Sequence, residues 1–271
     1  MKRLIRYLLR RIGYDVMRYR SGELGRDPFQ DMKFFLSGLK SPTIFDVGAN
    51  IGQSVDNFRR AFPDSSIHSF EPSPSTYAKL SEHCSGLSGV KTWNYGIGSR
   101  QATLPFIENI VSEMSSFLAP SEFCWGKIEK TTNVEVLTLD SFANKQDVEF
   151  VHILKSDTQG YDFEVFKGAE RLMEDNRIGL IYFEFIFSNM YTGLPSFCEV
   201  YRFLSDRNFA LVSFYEPHFQ QDLLSWTDAM FINVDYNRQR VAQGGIASPP
   251  NGVAELDRTS GCMSSRRRQF L

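Results

Sequence analysis

A short run, Asp46-Val-Gly48-Ala-Asn50-Ile-Gly52-Gln53, combines a carboxylate, an amide and two glycines at alternating positions. Glycines at a strand-to-helix turn let a ligand approach the backbone closely. Nineteen residues after Gly52 stands Glu71, in Phe70-Glu71-Pro72. A carboxylate at that spacing can accept hydrogen bonds from both hydroxyls of a ribose. Two later acids, Asp157 in Lys155-Ser-Asp157-Thr-Gln159-Gly160 and Glu184 in a Tyr/Phe-rich run, are candidates to take a proton from a hydroxyl. Asp157 is equally suited to capping a following helix or orienting a ligand's cationic end, and Glu184 to being a buried, paired acid. The histidines carry less: His83 falls in a helix, His68 inside a strand, His152 at a strand start, and His218, in a loop, is an alternative base. Asp157, Glu184 and His218 have no metal-ligand spacing, so no metal is expected.

These residues need a frame, and apolar runs alternating with helical patterns supply it. Thr43–Val47 reads as a strand, followed by a helix over Gln53–Ala61, a strand over Ser66–Phe70, a helix over 75–83 and a strand over 90–95. Strands follow at 150–156 and 178–187, with helices over 163–174 and 197–207 between and after them. Two last strands, 209–215 and 229–234, are separated by a helix-free connection that suits an antiparallel pair. Such alternation implies an α/β doubly wound fold, a mostly parallel sheet with helices on both faces. In that fold ligands bind at the carboxyl ends of the strands, where the turn at 46–52, Glu71, Asp157 and Glu184 all fall. Residues 99–148 break the rhythm: two strand-like pieces, 102–107 and 134–139, flank a long stretch at 108–132 that reads as a lid. Its aromatics Phe117, Phe123 and Trp125 suit either packing the lid down or stacking on a sugar ring.

The 271 residues are 42% hydrophobic and 23% charged, an ordinary globular composition. No apolar run is long enough for a membrane span. The four cysteines lack metal or disulfide-framework spacing and read as free thiols of a cytoplasmic protein. The net charge of −2 divides into +6 over residues 1–20, +4 over 237–271 and −12 between them. An acidic body is a poor match for a polyanion, so nucleic acid is not an expected partner. Residues 1–27 form a basic amphipathic segment, suited to packing on the body or to peripheral contact with an anionic membrane. Residues 28–236 form the folded domain. Residues 237–271, rich in Gly, Ser, Pro and Arg, read as a disordered tail.

Two ligand classes fit the Gly-rich turn, a dinucleotide and S-adenosylmethionine. The turn lacks the G-x-G-x-x-G spacing of a pyrophosphate cradle, and Asp46 is unwelcome beside a pyrophosphate but useful beside an ammonium and a sulfonium. S-adenosylmethionine is therefore favoured. The blocks FDVGANIGQ, HSFEPSP, TLDSF and LKSDTQGYDFEVFKGAERL resemble those of FkbM-type methyltransferases, over residues 42–234. The resemblance implies a Rossmann-like, seven-stranded, mostly parallel sheet with one antiparallel strand. It also implies methyl transfer from S-adenosylmethionine to a hydroxyl oxygen of a carbohydrate or related small-molecule metabolite. By that resemblance Asp46, Gly48, Asn50 and Gly52 form the donor turn, Glu71 is the ribose acid and Gly96, before Ile97-Gly98, runs beside the adenine. The family pattern K-x-D-x-E-G reads here as Lys155-Ser156-Asp157-Thr158-Gln159-Gly160, so an acid is replaced by an amide. Loss of that charge leaves a non-catalytic nucleotide- or partner-binding domain as the alternative, followed by a nicotinamide oxidoreductase.

Overall fold

In the computed structural model, residues 23–243 together with Tyr7 and Arg11 are described. The expected membrane-contacting segment before residue 23 and the tail beyond 243 otherwise lie outside them. The body opens with helix α1 (Pro28–Phe35), where Asp27 accepts hydrogen bonds from the amides of Phe29 and Gln30. A proline at the first helical position costs nothing there, because its missing N–H would have no intrahelical partner. The chain continues through β1 (Thr43–Val47), α2 (Gln53–Ala61), β2 (Ser66–Phe70), α3 (Pro74–His83) and β3 (Val90–Trp93). After an intervening segment come β4 (Gly96–Ile97), β5 (Ala102–Asn109), β6 (Ile128–Leu137), α4 (Leu139–Lys145) and β7 (Val151–Ser156). The last part holds α5 (Asp162–Lys167), α6 (Glu170–Glu174), β8 (Ile178–Ile186), α7 (Phe197–Asp206), β9 (Phe209–Gln220), β10 (Leu223–Asn233) and α8 (Val234–Ala242).

Seven strands form one sheet in the order β3-β2-β1-β7-β8-β10-β9. Only β10 runs against the rest, pairing antiparallel with both β8 and β9. This is the expected mostly parallel, Rossmann-like sheet with one reversed strand. Alternate residues of each central strand enter opposite cores, because side chains of a strand point to alternate faces. Phe45, Phe70, Leu154, Ile181 and Phe183 pack with Leu139, Phe142, Val165, Leu172 and Leu204 of α4 to α7. On the other face Ile44, Ile67, Ile153 and Leu180 meet Met32, Val55, Phe58 and Leu80 of α1 to α3. All of these side chains are buried.

Four expectations are corrected by the tertiary structure. The lid-like stretch expected over 108–132 is shorter, because β6 starts at Ile128 and pairs antiparallel with β5, while β4 joins β6 in a second, three-stranded sheet. The helix expected over 163–174 is two helices, since α5 ends where a Cβ on Gly168 would lie 2.1 Å from the Gly98 carbonyl oxygen. The last two strands are a hairpin closed by Gln221 and Asp222, both in the left-handed region, so His218 lies in β9 and stacks on Trp226. Finally, α8 carries the ordered body past residue 236 to Ala242, with the Asn233 side chain accepting the Tyr236 amide.

Candidate active site

The carboxyl ends of β1, β2, β7 and β8 converge on two cavities that share Gly48, Asn50, Glu113 and Asp157 in their walls. The first, about 610 Å³ of empty space, lies between the donor-type turn and the second sheet. Phe70, Ile97, Phe106 and Phe117 make its apolar walls, while Glu71, Tyr95 and Gly96 line it as well. The second, about 1,420 Å³, opens on the other side of the shared wall, toward Lys155, Tyr182, Glu184, Glu216 and Asp228.

The turn is held rigidly. Gly48 adopts φ of +72° and a Cβ there would sit 1.9 Å from the Asp157 carbonyl oxygen, so the β1 and β7 ends touch backbone to backbone. Lys155 Nζ donates to the Gly48 carbonyl at 3.0 Å and ion-pairs with Asp46 at 3.2 Å and Asp157 at 3.7 Å. Burial opposes its charge, but the neighbouring Asp46 and Asp157 carboxylates outweigh this and hold the ammonium above its ordinary pKa. Asp46 is wholly buried, accepting from Ser54 Oγ at 2.7 Å and Ser69 Oγ at 3.2 Å. It lines neither cavity. Behind the turn, Asp46 is engaged by Lys155 and by Ser54 Oγ. Gly52 likewise lines neither cavity. It is the left-handed N-cap of α2, where a Cβ would collide with His83 Cδ2 at 2.7 Å.

Glu71 lies where the spacing put it, at the end of β2 on the wall of the first cavity. Its Oε2 accepts the Asn50 amide at 3.0 Å and its Oε1 the Ser73 amide at 2.9 Å, leaving one lone pair on each oxygen. Burial pushes its pKa up to about 8, against the lowering effect of those two amides. Asn94 Nδ2 donates to the Glu71 and Pro72 carbonyls and fixes the segment. Glu108, on β5, was not anticipated. It accepts from Ser73 Oγ at 2.6 Å, Ser75 Oγ at 3.0 Å and Thr132 Oγ1, tying the second sheet to the start of α3. Burial works against its ionisation, but these hydroxyls and Lys130 hold it below the ordinary value.

Asp157, Gln159 and Glu184 are brought together. Gln159 Nε2 donates to Asp157 Oδ1 at 3.1 Å and to Glu184 Oε1 at 2.9 Å, and its Oε1 accepts from Tyr191 Oη at 3.1 Å. Burial first, then the charges of Asp157, Asp228 and Asp162, raise Glu184 well above its ordinary pKa. Asp228 lies directly across from Glu184 in the β8/β10 register and is raised to about 6, mainly by burial, with Tyr182 Oη bonded to it. Two acids opposite each other would weaken a strand pair if both were ionised, and only the register reveals that they meet. Of the histidines, His68 and His152 are pushed to about 4 by burial; His68 packs on Trp93 and His152 Nδ1 accepts the Thr43 amide. His218 stacks on Trp226 and lines neither cavity. No His, Cys, Asp and Glu cluster suited to a metal occurs among the described residues.

The segment 110–127 covers this wall. Ser116 Oγ lies 2.9 Å from the Gln159 carbonyl and 3.3 Å from that of Thr158. Tyr191 Oη also reaches the Met114 carbonyl at 3.1 Å. Phe117 faces the first cavity between Phe106 and Tyr161, whereas Trp125 packs on Trp226 and Phe123 is exposed.

Residues 46–211 match the family model described as the methyltransferase FkbM domain. The chain belongs to the FkbM methyltransferase family. It is 29% identical over 188 residues to "Methyltransferase sdnD" of Sordaria araneosa, covering 58% of this chain and 72% of that one. It is 26% identical over 162 residues to "Methyltransferase 1" of Beauveria bassiana (strain ARSEF 2860), covering 53% and 61%. Among solved structures it resembles an rRNA methylase from Streptococcus thermophilus at 12% identity, over 81% of this chain and 99% of that one, with a TM-score of 0.45. As a member of the FkbM family the protein is a methyltransferase, with S-adenosylmethionine as its cofactor. The first cavity fits that molecule: apolar walls suit an adenine, Glu71 keeps free lone pairs for a diol, and the buried Asn50 Oδ1 has no hydrogen-bond partner. An amide oxygen left unpaired at this wall has the chemistry to accept a hydrogen bond from an ammonium group.

Proposed function

We propose that the protein is an O-methyltransferase acting on a hydroxyl of a carbohydrate or related metabolite. The observation that carries this reading is the wall of Gly48, Asn50, Glu113 and Asp157 shared by two cavities of different character. The first is half apolar and carries a diol acceptor. The second is lined by Asp157, Glu184, Glu216 and Asp228, acceptors that suit the several hydroxyl donors of a polyol.

When bound, S-adenosylmethionine supplies an electrophilic methyl group on a positive sulfur. Phe70, Ile97, Phe106 and Phe117 would enclose its base, Glu71 its ribose, and Asn50 its amino-acid end. Methyl transfer is an in-line displacement, so the protein's main work is alignment of an acceptor oxygen across the shared wall. Asp157 faces both cavities and is placed to take the hydroxyl proton as the new bond forms. Glu184, held toward its neutral form by burial and by Asp157, is placed to hold a neighbouring acceptor group. Lys155 keeps the Asp157 and Gly48 ends in register.

Calorimetry with S-adenosylhomocysteine, followed by release of labelled methyl from S-adenosylmethionine onto a panel of saccharides and alcohols, tests the reading. Binding with transfer to hydroxyl oxygen supports it. Binding without turnover on any acceptor favours the non-catalytic module, and tighter binding of NAD than of S-adenosylhomocysteine favours an oxidoreductase.

A further inference from the structure

Glu184 is crowded by carboxyl groups. Asp157 stands beside it at the end of β7, Asp228 opposite it on β10, and Asp162 at the start of α5, all acting to raise its pKa. Three of these acids have their own partners. Lys155 serves Asp157, Tyr182 Oη serves Asp228, and Asp162 accepts from Ser156 Oγ and the Thr158 amide. Among the described residues, Glu184 has one hydrogen-bond donor, the Gln159 amide. That amide nitrogen carries two hydrogens, and one goes to each acid.

The amide is itself held from both ends. Tyr191 Oη stands 3.1 Å from Gln159 Oε1 and 3.1 Å from the Met114 carbonyl, so its single hydrogen is shared between the carboxamide and the covering segment. The Gln159 backbone sits at φ of +53°, with its carbonyl accepting Ser116 Oγ from the covering segment. A carboxylate at position 159 would instead set three acids together with no donor among them.

We propose that Gln159 is a positioning residue for methyl transfer, its carboxamide clamping Asp157 and Glu184 into one unit and Tyr191 orienting the carboxamide. This rests on the O-methyltransferase reading for its role in turnover, but not for the clamp itself. The amide in place of the family's acid is then a working part of the site, because a neutral double donor allows two acids to stand 3 Å from one atom.

The test is a pH titration of the Glu184 carboxyl by carbon NMR, assigned with Glu184→Gln, on the full chain with and without S-adenosylhomocysteine. Gln159→Leu removes the sole donor, so Glu184 should titrate about one unit higher, as loss of one charge-assisted bond implies. Tyr191→Phe leaves the amide but frees its orientation, so a smaller shift in the same direction is expected. Affinity for S-adenosylhomocysteine should stay within about threefold in Tyr191→Phe, since Tyr191 lines neither cavity; Gln159 lines the first, so the titration of Gln159→Leu is read without ligand as well. With a saccharide found to be methylated, turnover should fall about 10- to 100-fold in Gln159→Leu at unchanged acceptor KM. A Glu184 titration unmoved in Gln159→Leu, in protein that melts cooperatively, overturns the clamp. Were Gln159→Leu not to fold, an unmoved titration in Tyr191→Phe would overturn it instead. Absence of any methylated acceptor would count against the transfer reading alone, leaving the titration result to stand.

Discussion

Glu71 and Asp157 separate binding from chemistry. Replacing Glu71 with Ala removes the proposed diol acceptor and the partner of the Asn50 and Ser73 amides. With Glu71 neutral in the fold, two hydrogen bonds of roughly 0.5–1.5 kcal/mol each are lost, so affinity for S-adenosylhomocysteine should fall about 5- to 150-fold by calorimetry. An unchanged dissociation constant would remove Glu71 from the donor site. Asp157→Asn keeps shape but takes no proton, and turnover should drop roughly 10²- to 10⁴-fold if Asp157 is the base. Donor affinity should then change little; a marked loss would assign Asp157 to the ammonium end instead. Asp157 is not a side-chain cap of α5, whose start carries no side-chain capping bond, so retained turnover in Asp157→Asn would shift the proton-taking role to Glu184.

Two elements decide whether these side chains meet. The β1 turn and the β7 end are in backbone contact at Gly48, so Gly48→Ala must both strain a positive φ and push the Asp157 carbonyl away. A non-glycine residue in that region costs about 1–2 kcal/mol before the clash is counted. Melting should fall by at least about 5 °C, and the donor site should be lost with it. The covering segment is held by apolar packing of Met114 and Leu118 on Ile186 and Met190, and by polar ties of Ser116 to the Thr158 and Gln159 carbonyls and of Ser121 to Asn189. Ser116→Ala leaves those carbonyls and the Leu118 amide without their hydroxyl partner. Hydrogen exchange over residues 112–118 should speed up roughly 5- to 150-fold, as loss of about 1–3 kcal/mol implies, while the main sheet stays protected.

Across the whole molecule, buried acids set how stability responds to pH. With its pKa raised to about 8 from 4.5, folded Glu71 holds a proton that the unfolded chain lacks between those values. Stability is therefore fully present below the unfolded value and lost as pH rises toward 8. Asp162 and Asp228, at about 6, ionise in both states above that point, and His68 and His152, lowered to about 4, are neutral in both above 6.5. Between pH 6.5 and 8, then, Glu71 should cost about 2 kcal/mol, with Glu184 adding in the same direction. Thermal melts should show Tm falling over that range in the wild type and a flatter profile in Glu71→Gln. An equal slope in both proteins would place the ionised Glu71 in the folded state.

The strand-helix rhythm, the glycine turn and the acid at the end of the second strand were all legible along the chain, because each is a local pattern. Period-two and period-3.6 burial, a left-handed turn and a fixed spacing to Glu71 need no knowledge of distant residues. The depth of Asp46 was not legible. Its position beside the turn is local, but its ion pair with Lys155, 109 residues later in the chain, appears only in the tertiary structure. Glu108 was hidden in the same way, since its partners come from α3 and β6. The pairing β5/β6 escaped because its strands are separated by a covering segment with no periodicity of its own. Sequence also read Gln159 as a missing charge. Only the register that sets Asp228 opposite Glu184, and the loop that sets Gln159 between Asp157 and Glu184, make that amide intelligible as a donor. Local chemistry thus chose the fold and the cofactor, whereas pairings between strands and loops far apart in the chain decided which acids are buried, paired or free to act.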